Sequence, residues 1–252
     1  MTHDVVLASH TRGSLSVYAV DGATKFGVDA FVTDRSGGVS TAPYESLNLA
    51  RHVGDVPDDV AENRRRVQRA SGATHLVTVT QVHGARVLDA DDVTDASEAD
   101  GIVTTAVGLA LAILVADCVP VLLVDTTSAR FALVHAGWRG LQRGVIAAAL
   151  SHFARASTVY AFVGPSISRD AYQVGPEVAR YFGHVPGALR ADAGDRALLD
   201  LRLVTAAQLL EHGVRDECVE LSRQVTDGGG IFFSDRAQRP CGRFALVATR
   251  VP

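Results

Sequence analysis

The stretch LALAILVADCVPVLLVD, residues 109–125, is almost wholly apolar, yet an acid and a thiol, Asp117 and Cys118, stand in its middle. A short apolar run bounded by turn signals predicts one or two buried β-strands. The run is short for a membrane span, and Asp117 and Pro120 would lie at its centre. An unpaired carboxylate is costly to bury. We therefore interpret the stretch as buried core that is interrupted for a functional reason.

The composition of the 252 residues is that of an ordinary globular protein, with 47% hydrophobic and 21% charged residues. A net charge of −4 favours neither nucleic acid nor an anionic membrane as partner. The N-terminus has no signal-peptide pattern, and three cysteines make no disulfide framework, so we expect a cytoplasmic protein. No oligomeric state is predicted.

Strand and helix patterns alternate unevenly along the chain, without a regular βαβ repeat. Strand patterns cover 28–40 with a Gly-Gly turn, 75–88, 109–125, 130–138, 158–167, 230–236 and 243–251. Helix patterns cover 55–72, 141–156, 174–183 and 198–213. The prediction is an α+β protein: one domain over residues 1–252, built as a mixed β-sandwich flanked by helices.

Three potential metal ligands each end or interrupt an apolar strand pattern: His83, Cys118 and His135. Each is followed within two residues by glycine or proline, which lets the backbone turn away and leave the side chain in a shared pocket. Two imidazoles and a thiolate suit zinc, and three protein ligands with one open position are typical of catalytic zinc. Asp117 is then either a carboxylate that orients a ligating histidine or a proton carrier.

Structural interpretations compete with each of these assignments. A lone cysteine in a buried strand often acts only as a small hydrophobe, and a histidine at a strand end is often a satisfied polar residue. In HAGWRGLQRG, residues 135–144, free backbone N–H groups and Arg139 suit an anion. The glycines there equally suit a tight strand-to-helix turn. Trp138 either stacks on a flat base or fills core.

Motifs spread over nearly the whole chain resemble the laccase-domain, or polyphenol oxidase, family, which is also described as a family of purine nucleoside phosphorylases. The resemblance is carried by DRSGGVSTAPYESLNLARHVGD (34–55), ENRRR (62–66), TQVHGARV (80–87), EADGIVTT (98–105), ILVADCVPVLLVD (113–125), VHAGWRGLQRGV (134–145), VGPSISRDAYQVGPEV (163–178), LDL (199–201), FFSDR (232–236) and GRFALV (242–247). The QVHG, ADC and HAGWRG pieces in this order are specific to that family.

The resemblance implies a zinc site made by His83, Cys118 and His135, and an α/β sandwich fold. It implies cleavage of adenosine, inosine and 5′-methylthioadenosine by phosphate, with adenosine deamination reported for some members. Purine nucleoside and phosphate are then the partners. For phosphate we assign Arg139 with the glycine turn, and Arg35 and Arg64 as alternatives. Asn48, in SLNL, is the expected ribose or base contact.

The chain departs from the family pattern near its C-terminal end. A Cys-Thr pair that usually precedes the FFS segment is missing, FSYRR becomes FSDRA with Asp235 and Ala237, and TGR becomes CGR with Cys241. None of these changes removes a proposed zinc ligand. They bear on how closely substrate preference follows the family.

Copper oxidation is the less favoured metal chemistry for this sequence. The chain has nine histidines but no H-x-H pair, and its one methionine is Met1, so no ordinary axial ligand for blue copper is available. Familiar deaminase signatures, H-x-E and P-C-x-x-C, are also absent. Deamination would therefore use the same zinc with a different acid or base, for which Asp117 is the nearest candidate.

Two further classes of function stay open. Cys118 and His135 could form the nucleophile and base of a cysteine hydrolase or deamidase. Alternatively, the protein is a scaffold that kept the fold without catalysis. A ligated thiolate resists alkylation until zinc is removed, whereas a catalytic thiolate reacts at once.

Overall fold

The computed structural model describes residues 3–227 and 230–251. In chain order its strands are β1 His3–Val5, β2 Ser9–Arg12, β3 Leu15–Ala19, β4 Val28–Thr33, β5 His75–Val77, β6 Val87–Asp89, β7 Gly101–Thr104, β8 Leu109–Val115, β9 Val119–Asp125, β10 Phe131–Ala136, β11 Val159–Val163, β12 Gln173–Val174, β13 Leu189–Ala191, β14 Ala197–Leu199, β15 Val219–Ser222 and β16 Phe244–Arg250. The α-helices are α1 Asp21–Thr24, α2 Pro57–Ser71, α3 Trp138–Gln142, α4 Val145–Leu150, α5 Pro176–Ala179 and α6 Leu201–Glu211.

Two large mixed sheets form the centre of the molecule. The seven-stranded sheet has the order β1-β15-β11-β9-β10-β7-β6, and the six-stranded sheet has the order β2-β3-β4-β16-β8-β5. A small third sheet contains β12-β14-β13. Side chains from the inner faces of both large sheets meet in one buried cluster that includes Ile113, Leu122 and Phe162. The predicted sandwich of the α+β class is therefore confirmed.

Helices cover the outer faces of both sheets. α4 and α6 pack on the seven-stranded sheet in a second cluster with Val121 and Val134. Val67 of α2 packs on the six-stranded sheet in a third hydrophobic cluster. α2 begins with Pro57 and ends before Gly72, whose φ of 69° is the left-handed geometry that favours glycine after a helix. None of the described helices has the length and apolar character needed to cross a membrane.

The apolar run at 109–125 contains two strands, and they belong to different sheets. β8 pairs with β16 in the six-stranded sheet, and β9 pairs with β10 and β11 in the other. Alternate residues of β8 enter two different hydrophobic clusters, so both faces of the strand are buried. A strand buried on both faces needs a continuous apolar sequence. Ala116, Asp117 and Cys118 carry the chain from one sheet to the other.

The predicted strand at 75–88 is wrong as a single element. Only β5 and β6 are strands, and they pair with β8 and β7 in opposite sheets. The segment between them crosses the sandwich, as residues 116–118 do. It is held to β8 by the Gln81 side chain, whose Nε2 donates to the Leu114 carbonyl at 2.7 Å and whose Oε1 accepts the Leu114 N–H at 2.9 Å.

Two other predicted elements also differ from the structure. The helix predicted at 141–156 is interrupted by Gly144, whose φ of 80° ends α3 and starts α4. The strand predicted at 230–236 is irregular. Its hydrophobicity serves side-chain burial instead, because Phe232 packs on Tyr18 and Phe244 with ring centroids 5.5 and 4.8 Å apart.

Candidate metal centre and cavity

The three predicted ligands meet where the chain crosses between the sheets. His83 lies on the β5–β6 crossing, Cys118 at the end of the β8–β9 crossing, and His135 near the end of β10. Among the described residues, His83 and Asp117 are the two non-glycine positions with positive φ, at 56° and 85°. Such backbone costs about 1–3 kcal/mol and persists where the surrounding structure enforces it. Here His83 is itself a member of the ligand cluster, and Asp117 precedes Cys118.

Asp100 orients two of these ligands, and sequence reasoning gave it no role. It is fully buried and accepts the backbone N–H groups of His83 at 2.9 Å and Gly84 at 2.6 Å. Its Oδ1 lies 2.8 Å from Nδ1 of His135. Burial raises the Asp100 pKa, but His135 and the backbone donors outweigh burial and lower it. The ionised carboxylate therefore accepts from Nδ1, which leaves Nε2 of His135 free to bind a metal.

The separation of the three side chains fits a zinc ion. Sγ of Cys118 lies 3.9 Å from Nε2 of His83, and the three ligand atoms all lie within 4.8 Å of one another. Tetrahedral zinc with bonds of about 2.3 Å to sulfur and about 2.0 Å to nitrogen places those two atoms about 3.5 Å apart. Small side-chain movements would therefore close the trio on an ion and leave a fourth position open.

Gly137 is required beside these ligands for steric reasons. A Cβ atom at this position would lie 2.9 Å from Sγ of Cys118 and 3.0 Å from the ring of His83. At Gly140 a Cβ would lie 3.0 Å from the Gly84 carbonyl oxygen. Close packing against the ligand loops thus accounts for these two glycines of HAGWRG.

The charges of the cluster favour a thiolate. Burial raises the pKa of Cys118, but the charges and hydrogen bonds of His135 and His83 outweigh burial and lower the pKa to about 6. Burial lowers the pKa of His135, whereas Cys118 and Asp100 raise it to about 9. Cys118 is therefore a thiolate at neutral pH, and it needs a positive partner: an imidazolium or a metal cation.

A cavity of about 790 Å³ opens onto the trio. Trp138, Arg139 and Tyr172 line it close to the ligands. The Arg139 guanidinium lies 4.3 Å from the centre of the Trp138 ring, and it forms no hydrogen bond or ion pair with the described residues. It is thus available to an anion. Arg64, which the sequence offered as an alternative phosphate contact, also lines the cavity.

Asp117 borders the cavity but does not orient a histidine. Its carboxylate accepts from Oγ1 of Thr226 at 2.5 Å and from the backbone N–H of Arg236 at 2.7 Å. Its own carbonyl accepts the N–H of Ile167 at 3.0 Å. Of the two roles that the sequence left open for Asp117, the orienting one belongs to Asp100, and Asp117 joins three distant segments next to Cys118.

The cavity lining does not include Asn48 or Arg35, and the substrate contacts expected of these two residues stay predictions without support from the cavity geometry. Asn48 is fully buried, and its amide is occupied by Ala50, Asp55 and the backbone N–H of Arg243. Arg35 stacks on Phe233 at 4.8 Å and donates to the carbonyl of Glu45. The polar groups of both side chains therefore bind other residues of the protein.

Other cavity residues lie in the motifs used for the resemblance but received no role from the sequence: Gln81, Arg51, His52, Tyr172, Arg236 and Arg243. Asp100 could have been found by the criterion applied to Asp117, because it is an acid directly before a buried apolar strand. The departure at Asp235 also lies in the cavity wall. Its carboxylate pairs with Arg239 at 2.5 Å and Arg243 at 3.1 Å.

Known sequences match most of the chain. A family model described as multi-copper polyphenol oxidoreductase laccase matches residues 29–250. A Mycobacterium tuberculosis protein named purine nucleoside phosphorylase Rv2149c is 40% identical over 224 residues, which are 85% of this chain and 89% of that protein. The Escherichia coli protein named purine nucleoside phosphorylase YfiH is 37% identical over 230 residues, which are 87% of this chain and 92% of that protein.

Solved structures share the sandwich. Neisseria meningitidis protein NMB0706 superposes with a TM-score of 0.85 at 32% identity and covers 90% of this chain and 95% of its own. YlmD from Geobacillus stearothermophilus superposes with a TM-score of 0.87 at 31% identity and covers 98% of this chain and 99% of its own.

Proposed function

The chain belongs to the family described as multi-copper polyphenol oxidoreductase laccase, and we propose that it is a zinc-dependent purine nucleoside phosphorylase. Its proposed substrates are adenosine, inosine and 5′-methylthioadenosine, cleaved with phosphate to the free base and ribose 1-phosphate or its methylthio analogue. Two relatives carry the name purine nucleoside phosphorylase. The observation that carries the proposal is the Asp100-oriented trio of His83, Cys118 and His135 facing an arginine-lined cavity.

Zinc is the proposed metal because of the chemistry of the trio. Two imidazoles and one thiolate suit zinc, whereas multicopper oxidation needs several copper centres and many more histidine ligands. The largest group of potential ligands in the described residues is this one set of three. Copper is therefore the less favoured ion in spite of the family's description.

In the proposed reaction the C1′–N bond of the ribose breaks, phosphate oxygen forms the new bond to C1′, and the purine leaves with a proton. His83, Cys118 and His135 would hold zinc, which would supply Lewis acidity in the cavity when bound. Arg139 would hold phosphate through charge-assisted hydrogen bonds, and Trp138 offers a flat surface to the base. Asp117 stays our candidate for a proton carrier because it borders the cavity beside Cys118.

Turnover of adenosine by the purified zinc-loaded protein, with and without phosphate, tests the proposal. Adenine that forms only with phosphate would support phosphorolysis. Inosine that forms regardless of phosphate would support an accompanying adenosine deaminase activity, which we propose as a secondary reaction. Absence of both products under zinc saturation would contradict the proposed function.

A cysteine hydrolase or deamidase is the second candidate, and the Cys118–His135 pair favours it. A thiolate with a pKa of about 6 beside a histidine is also the arrangement of a cysteine nucleophile. Iodoacetamide treatment of the zinc-loaded protein separates the two. Protection of Cys118 until a chelator is added supports the zinc enzyme, whereas immediate alkylation with loss of activity supports the hydrolase.

The proposal treats residues 1–252 as one catalytic domain in the cytoplasm. All three cysteines are free thiols, which agrees with a reducing compartment.

A further inference from the structure

Four basic side chains that line the cavity lie close enough to interact electrostatically: Arg51, His52, Arg64 and Arg243. We call this set the basic cluster. Its members come from three separate parts of the chain, namely the loop before α2, α2 itself and the residue that precedes β16. The three guanidinium groups are positively charged at neutral pH, and held together in this way they repel one another unless a negative group lies among them.

The basic cluster has little negative charge of its own. The guanidinium of Arg64 donates to neutral acceptors, the carbonyl of Leu49 at 2.8 Å and Oγ1 of Thr78 at 3.2 Å. The side chains of Arg51 and His52 form no hydrogen bond or ion pair within the described parts of the chain. Arg243 shares Asp235 with Arg239, which lies outside the cluster.

The mutual repulsion is visible in the ionisation of two members. Burial lowers the pKa of Arg64, and the charge of Arg51 lowers it further, to about 10. Burial also lowers the pKa of His52, with added contributions from Arg243 and Arg64. Each group is thus harder to charge than it would be alone, and a bound anion would remove this penalty.

A buried hydrogen-bond network builds the basic cluster. The Asn48 side chain accepts the backbone N–H of Arg243 at 3.0 Å and donates to Asp55 at 2.8 Å. Asn63, which precedes Arg64 in α2, donates to the carbonyl of Asn48 at 2.9 Å. Both asparagines are fully buried, so their hydrogen bonds fix the three segments against one another. The cations are therefore held together by the fold.

The cavity as a whole has the opposite charge to the chain. Counted over the described residues, its lining contains six arginines and three aspartates, whereas the whole chain carries a net charge of −4. A neutral nucleoside uses none of this positive charge. The charge indicates a ligand with at least one phosphate-like group, because several guanidinium groups match the oxygens of a phosphate.

We propose that the basic cluster binds a phosphate group, either free orthophosphate or a phosphate ester on the ribose of the nucleoside. The choice of phosphate as the anion rests on the proposed function. The accumulation of unneutralised cations is independent of the proposed function, and phosphate binding can be measured without any turnover. If orthophosphate binds here, the basic cluster takes over the role proposed for Arg139. If an ester binds here, the two cation sites serve different phosphates.

The test is calorimetric titration of the zinc-loaded protein with orthophosphate, adenosine or adenosine 5′-monophosphate at constant ionic strength. Two variants remove one charge each, Arg51→Gln and Arg64→Gln. Arg155→Gln is the matched control, because Arg155 is exposed and does not line the cavity. The Arg51 side chain has no hydrogen bond to lose, so Arg51→Gln decides the result if Arg64→Gln fails to fold.

Loss of one charge-assisted contact should lower the affinity for phosphate about tenfold. Weaker orthophosphate binding with unchanged adenosine affinity would show that the cluster binds free phosphate. Tighter binding of the monophosphate than of adenosine, with that advantage lost in the variants, would show that it binds an ester. Affinities for orthophosphate and the monophosphate that stay within twofold of wild type in both folded variants would overturn the proposal. Phosphate binding without phosphorolysis would contradict the proposed function alone.

Discussion

Asp100 and His135 form a buried pair in which Oδ1 lies 2.8 Å from Nδ1, and the same carboxylate holds the backbone of His83. Replacement of Asp100 by Asn should lower zinc affinity about 10- to 100-fold, the usual effect of losing a carboxylate that orients a ligand. An amide removes the negative charge, and its NH₂ group cannot accept the N–H of Gly84. Competition with a chromophoric chelator measures the change.

Asp125→Asn is the matched control for that experiment. Asp125 is also buried, and it accepts hydrogen bonds from Thr127, Ser128 and Thr158 outside the cavity. This variant should lose stability but keep wild-type zinc affinity. Equal zinc affinity in the two variants would contradict the orienting role of Asp100.

Cys118→Ala should lose both bound zinc and turnover. The substitution removes the thiolate, and two imidazoles alone hold zinc weakly. Zinc content by atomic spectroscopy and adenosine cleavage are measured on the same preparation. Cys218→Ala should retain both, because Cys218 lies outside the cavity lining. A metal-free, fully active Cys118→Ala protein would refute the zinc enzyme.

Arg139→Ala should raise the KM for phosphate about tenfold and leave the zinc content unchanged. The reason is the loss of a guanidinium that has no ion pair inside the described protein and faces the cavity. Initial rates are measured over a range of phosphate concentrations, with Arg155→Ala as the control. A phosphate dependence identical to wild type would remove Arg139 from the phosphate site.

Tyr160 should make the protein less stable at alkaline pH. Burial, followed by the hydrogen bond to Glu220, raises its pKa above the ordinary value near 10. The unfolded chain therefore releases this proton near pH 10 while the folded protein retains it, so the stabilisation present below pH 10 is lost as the pH rises. The free energy of unfolding should fall by about 1.4 kcal/mol at pH 11 from this group.

Comparison with Tyr160→Phe isolates that contribution. The variant lacks the titrating hydroxyl, so the difference in unfolding free energy between wild type and variant should shrink between pH 9 and pH 11. Urea titrations at each pH measure it. A difference that stays constant over this range would show that Tyr160 titrates alike in the folded and unfolded states.

The sequence predicted the sandwich and the convergence of three ligands because both depend on local signals. Continuous apolar runs mark strands buried on two faces, and turn residues mark where those strands end. It could not show that β8 and β9 lie in different sheets, since burial between sheets and burial under helices select the same residue types. For the same reason the strand predicted at 75–88 concealed a crossing.

The roles of single residues were harder to predict for a related reason. Asn48 was named as a ligand contact from its place in the SLNL motif, yet its hydrogen bonds are satisfied by residues as distant as Arg243. Asp100 was overlooked because its partner His135 is 35 positions away. Whether a buried polar group serves the fold or a ligand depends on such long-range partners, which a local pattern does not contain.

Because of the two sheet crossings, metal binding by the trio of His83, Cys118 and His135 would depend on assembly of the whole sandwich. His83 and Cys118 reach the centre only after each crossing has joined its two strands to opposite sheets, and His135 only after β10 has docked. A half-assembled chain would offer at most a scattered pair of ligands. The proposed ion would therefore bind after the sandwich has assembled and would stabilise it. The melting temperature of the whole sandwich would then rise with the concentration of free metal.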